Sequence, residues 1–148
     1  MDFTDLASWH FDGISAELSM LLLATVLGML QLAVAARAGN SQRGLRWNVG
    51  ARDEEAPPIS KGAARLERAR RNFMETYPFF VALEVAGALI DRHNWSTIVG
   101  SQVYLAGRVI YVPLYALGVP VLRTLVWLIA SIGIVLVLLG VLLPGWFA

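Results

Sequence analysis

Four apolar stretches of membrane length dominate this chain of 148 residues. The first runs from about Leu18 to Ala36 without a charge, and the fourth from about Thr124 to Leu143 with neither charge nor proline. Between them, about Phe73 to Ile90 carries Glu75 and Glu84, and about Thr97 to Leu117 carries Arg108. A helix of about 20 residues crosses a hydrocarbon core roughly 30 Å thick. Inside lipid every backbone N–H and C=O must be satisfied within the segment, which favours helices over isolated strands. The expected fold is therefore all-α: one integral-membrane domain over residues 1–148, a bundle of four helices.

Composition supports the membrane reading. The chain is 57% hydrophobic and only 16% charged, where soluble domains run near a quarter charged. The net charge of +1 conceals a segregation: nine of the twelve Lys/Arg lie between Arg37 and Arg71, while the first 36 residues hold four acids and no base. Positive charge collects on the cytoplasmic side of membrane proteins. This places the basic loop, about residues 37–66, in the cytoplasm and both termini outside, with Arg123 also falling inside. The charge pattern speaks of membrane orientation, and no nucleic-acid partner is expected. With no cysteine, disulfides, thiolate metal sites and a cysteine nucleophile are excluded. The two histidines, His10 and His93, fall in terminal or connecting segments, and no metal site is expected. The acidic N-terminus has no cleavage motif and reads as mature sequence.

The connection from Arg37 to about Lys61 is rich in Gly, Asn, Ser, Arg and Pro and is expected to be a polar loop, with Pro57-Pro58 extended. Helix is expected to resume near Gly62, ahead of the apolar stretch, because AARLERARRNFMET consists of good helix formers. Asp91 to Ser96 makes a tight turn, and the last two helices join around Gly118 and Pro120.

Ionisable residues at the mouth of an apolar helix are candidates for function. Arg68, Asn72, Glu75 and Phe79 share one helical face, with Arg71 and Glu75 spaced to pair at i,i+4. A carboxylate, an amide and arginines together suit a zwitterionic ligand with several carboxylates, such as a peptide. The same residues also suit a juxtamembrane belt on anionic lipid. Arg108, Tyr111 and Tyr115 form a second face, where Arg108 holds a ligand carboxylate or neutralises Glu84 or Glu75. Glu84 lies on the side of its helix opposite Glu75 and is expected to act between helices. Arg123 reads either as a snorkelling anchor or as a cation of the same cytoplasmic pocket. Gln31 is expected to face another helix, Pro78 and Pro113 to kink their helices, and Gly87 and Gly107 to allow close approach.

Two runs carry a resemblance: GARDEEAPP with RLERARRNFMETYPFF (Gly50 to Phe80), and GRVIYVPLYALGVPVLRTLVW (Gly107 to Trp127). They resemble the MAPEG family, the membrane-associated proteins in eicosanoid and glutathione metabolism. Arg68, Asn72, Glu75, Pro78 and Phe79 match its second-helix motif, and Arg108, Tyr115 and Arg123 its third and fourth helices. Val109, Ile110 and Tyr111 replace the family's aromatic-histidine pattern, which looks closer to the bacterial branch and implies a bacterial inner membrane. The resemblance implies a homotrimer binding glutathione between subunits near the cytosolic face, through Arg71, Asn72, Glu75, Arg108 and Tyr115. It implies that Arg123 assists formation of the thiolate, which attacks a lipophilic electrophile or reduces a hydroperoxide. Membrane lipids and a lipophilic small-molecule substrate are the other implied partners. The competing expectations are a non-catalytic protein of the same fold that binds lipid or a partner protein, and a small proton-coupled exporter with Glu84 or Glu75 as the proton carrier.

Overall fold

The structure, a computed structural model, describes residues 11–53 and 55–147; His10 and the rest of the acidic N-terminus lie outside them. The described residues form α1 (Ala16–Arg43), a short α2 (Leu45–Val49), α3 (Lys61–Leu89), α4 (Trp95–Leu117), α5 (Pro120–Leu142) and a 3₁₀ turn (Pro144–Trp146). The protein is all-helical, with no strand among the described residues. α1 and α5 are long and apolar enough to cross a membrane. Both carry exposed apolar rows, Leu22, Val26, Met29 and Leu30 on α1 and Leu125, Leu128, Ile129 and Ile132 on α5. Such a surface is costly in water and fits lipid or a protein partner.

Local chemistry sets the ends of the helices. Ser15 caps α1, accepting from the Leu18 N–H at 3.3 Å, and Ser60 caps α3, accepting from the Ala63 N–H at 3.3 Å. Asn94 and Thr97 form a reciprocal capping box at α4. Gly118 closes α4 in the left-handed conformation, φ +79°, a position where glycine carries no steric penalty. The basic connection is more helical than its composition implies. α1 continues through Arg37 to Arg43 and stops at Gly44, φ +82°, carried by Arg37, Ala38, Gln42 and Arg43 across the weaker helix formers Gly39, Asn40 and Ser41. Gln42 then bridges to the N-cap of α3, its Oε1 accepting from the Ser60 N–H at 2.6 Å and its Nε2 donating to Ser60 Oγ at 3.2 Å. Helix resumes at Lys61, within one residue of the expectation.

The tightest packing joins α4 to α5. A Cβ on Gly100 or Gly133 would lie 2.7 Å from the other residue's carbonyl oxygen, and one on Gly107 2.8 Å from Ala130 Cβ. Polar ties reinforce the seam: Ser96 Oγ donates to the Leu136 carbonyl at 2.8 Å, and Asn94 Nδ2 to the Gly140 carbonyl at 2.9 Å. α3 packs inside through Phe80, stacked on Tyr104 with ring centres 4.1 Å apart. α1 leans on α3, where Thr25 Oγ1 and Tyr77 OH lie 2.6 Å apart. Pro78 and Pro113 are both held within continuous helices. Gln31 is buried and lines a cavity with Leu66 and Ala69 of α3, but neither amide atom has a hydrogen-bond partner.

Candidate functional site

The polar cluster forms where the basic half of α3 crosses the second half of α4. Arg108 is the most deeply placed charge among the described residues, 1% exposed. Its Nη1 donates to Asn72 Oδ1 at 2.9 Å, and its Nη2 donates to Thr76 Oγ1. Thr76 Oγ1 donates to the Phe73 carbonyl at 3.3 Å and lies 3.4 Å from Tyr104 OH. The guanidinium sits over the rings of Tyr104 and Tyr111, 5.4 and 5.6 Å from their centres, an arrangement that offers partial compensation for a buried cation.

Neither Glu75 nor Glu84 pairs with Arg108, since no carboxylate lies within ion-pair distance of it among the described residues. The reason is geometric. Asn72 stands between, accepting from Arg108 and donating through Nδ2 to Glu75 Oε2 at 3.3 Å. The expected Arg71–Glu75 pair also does not form; the ion pair on this part of α3 is Arg70–Glu67 at 2.6 Å. Arg68, Arg71 and Glu75 are exposed, as is Phe79 at 66%. The expected stripe is thus divided. Asn72 turns toward Arg108, while Arg68, Arg71 and Glu75 face outward.

Tyr111 and Tyr115 continue the α4 face, their rings 5.4 Å apart edge to face. Arg123 of α5 stacks over Tyr115 with 4.5 Å from guanidinium carbon to ring centre. Arg108 and Arg123 therefore flank one tyrosine pair from opposite ends. Sequence reasoning missed Thr76, Tyr104 and Trp127, whose indole Nε1 is buried without a hydrogen-bond partner. The signal was available: Tyr104 precedes Arg108 by four residues and Thr76 follows Asn72 by four, the spacing of shared helical faces.

Above the apolar part of α3, the remaining arginines have structural partners. Arg65 donates to the Ala116 carbonyl at 3.4 Å, bracing the α4–α5 turn. The hydrogen bond from Arg70 holds the Glu67 carboxyl below the usual carboxylate range and lifts the Arg70 guanidinium. A depressed carboxyl contributes stability above its unfolded pKa and loses that contribution as pH falls through its folded value. Both partners are substantially solvated, so Arg70→Ala is expected to cost no more than about 0.5 kcal/mol. Thermal melts should show that difference at neutral pH and its disappearance once Glu67 is protonated.

The sequence adds an independent statement. Residues 20–143 match the MAPEG family. The chain belongs to the MAPEG family. The match covers most of α1 and all of α2, α3, α4 and α5. MAPEG proteins are membrane proteins, and the family includes glutathione transferases and peroxidases as well as non-catalytic members. No curated protein matches the sequence.

Proposed function

We propose that this MAPEG protein is a membrane-bound glutathione-dependent transferase or peroxidase acting on lipophilic electrophiles or hydroperoxides. One observation carries the reading: a guanidinium 1% exposed with no carboxylate against it and a buried Nε that has no partner. A buried cation left without a counter-ion is costly, and a carboxylate from a ligand relieves that cost. Glutathione supplies carboxylates for Arg108, Arg68 and Arg71, and an ammonium for Glu75. Tyr111 and Tyr115 stand between Arg108 and Arg123. Arg123 favours the thiolate by its positive charge. The thiolate forms a carbon–sulfur bond to the electrophile, and the leaving group departs with its electron pair.

The outward direction of Arg68, Arg71 and Glu75 supports a site completed by a neighbouring copy, in a homotrimer of four-span subunits. In this reading the basic connection faces the cytoplasm of a bacterial inner membrane and both termini face the periplasm. Lipids cover the exposed apolar rows. One observation favours the alternative, a non-catalytic MAPEG-fold protein that binds lipid or a partner: Arg108, Asn72 and Glu75 already bond to one another.

Turnover by the full chain in proteoliposomes separates the two. Glutathione conjugation to a lipophilic electrophile is expected, with Glu75→Gln raising the KM for glutathione about tenfold through loss of one charge-assisted contact. Arg123→Ala is expected to lower kcat and leave the KM for glutathione nearly unchanged. Absence of turnover with both electrophile and hydroperoxide, in protein that is folded and assembled, would favour the non-catalytic member.

A further inference from the structure

A second polar cluster lies at the other end of the helices, away from the basic connection. Glu84 of α3 is 3% exposed, and its Oε1 has no hydrogen-bond partner. It lines a cavity of about 10 Å³ with Glu17, Ser15, Arg92, His93 and Thr97, room for one water molecule. Glu17, in the first turn of α1, is 5% exposed. Its Oε1 accepts from Thr97 Oγ1 at 2.8 Å and lies 3.2 Å from His93 Nδ1. His93 Nε2 in turn lies 3.7 Å from Asp91 Oδ1, and the Asp91 side chain is 96% exposed. Exposure therefore falls stepwise from Asp91 through His93 and Glu17 to Glu84.

Two buried carboxylates on one small cavity cannot both carry charge without a large penalty. The hydrogen bonding distinguishes them. Glu17 has a hydroxyl donor and an imidazole, which suit a carboxylate; Glu84 has an oxygen facing the cavity and no donor. The other facing groups do not neutralise Glu84. Arg92 is exposed and forms no ion pair among the described residues, and α5 contributes only Val137 and Val141.

We propose that Glu84, Glu17 and His93 form a proton-binding site, with Glu84 the carboxyl that holds the proton and His93 its route to the aqueous face opposite the basic connection. His93 takes a proton at Nε2 from water and gives the one on Nδ1 to Glu17. Glu17 passes its proton across the cavity to Glu84 Oε1, and the imidazole is left neutral in its other tautomer. One proton enters, and the cluster gains one positive charge. The site shares no residue with the Arg108 cluster and stands independently of the thiol chemistry.

Infrared difference spectroscopy of the full chain in vesicles tests this through the carbonyl stretch of a protonated carboxyl and its hydrogen–deuterium shift. At neutral pH the wild type is expected to show this band. Glu84→Gln, nearly isosteric, should remove it, and Glu84→Asp should shift it. His93→Gln should keep the band and slow its isotope exchange. Absence of the band from the wild type, or its persistence in Glu84→Gln, would overturn the site. Unchanged exchange in His93→Gln would overturn the route.

Discussion

Replacing Arg108 with alanine is expected to weaken glutathione binding at least about 30-fold, the scale of removing one member of a buried charge interaction (about 2–5 kcal/mol). The substitution also leaves Asn72 Oδ1 and Thr76 Oγ1 without the donor they now face, a penalty of about 1–3 kcal/mol for each group that stays buried and dry. Stability and binding therefore fall together in this variant. Arg108→Lys separates them. The ammonium keeps the charge but cannot span Asn72 and Thr76 as the planar guanidinium does. Arg108→Lys should thus recover part of the affinity, through its charge, and little of the thermal stability. Titration calorimetry beside a thermal melt reads both quantities. Equal affinity for wild type and Arg108→Ala would remove Arg108 from the site.

The second large effect concerns the α4–α5 seam. Alanine at a mid-helix glycine ordinarily stabilises by about 1 kcal/mol. At Gly133 the new Cβ would lie 2.7 Å from both the Gly100 carbonyl oxygen and the Tyr104 backbone nitrogen. Those are backbone atoms, so the whole helix must move, and overpacking of this kind costs about 1–3 kcal/mol. The clash is expected to win, and Gly133→Ala should lower Tm. Gly62→Ala is the control, since Ser60 Oγ at 4.0 Å is the nearest neighbour of its added carbon. That variant should hold or raise Tm. A rise at both positions would mean that the seam is not close-packed.

The two predictions draw on different parts of what the sequence could reveal. Helix character was legible because apolar runs of this length leave the backbone few alternatives. The stop of α1 was less so. Gly39, Asn40 and Ser41 gave Arg37–Arg43 a loop-like composition that the continuing helix overrides, and Gly44 was the signal that ends it. Gly107 could be named as a close-contact position, but Gly100 and Gly133 needed the facing helix to reveal their role. Spacing places residues on a face of their own helix and is silent on what opposes that face. Hence Arg108 was expected to hold a ligand carboxylate or to neutralise Glu84 or Glu75; neither glutamate reaches it, and it meets Asn72 and Thr76. Glu84 was expected to act between helices, and it lies buried beside Glu17. Glu17 itself drew no notice, because it precedes the apolar run rather than interrupting it.

Glutathione binding to the detergent-purified full chain, by titration calorimetry with thiolate absorbance followed in parallel, tests the central claim most directly. The buried Arg108, with no carboxylate against it, predicts saturable binding accompanied by a thiolate signal that Arg123→Ala diminishes. No binding by a folded, assembled protein would contradict the account and leave the Arg108–Asn72–Glu75 network a structural element of a non-catalytic MAPEG protein.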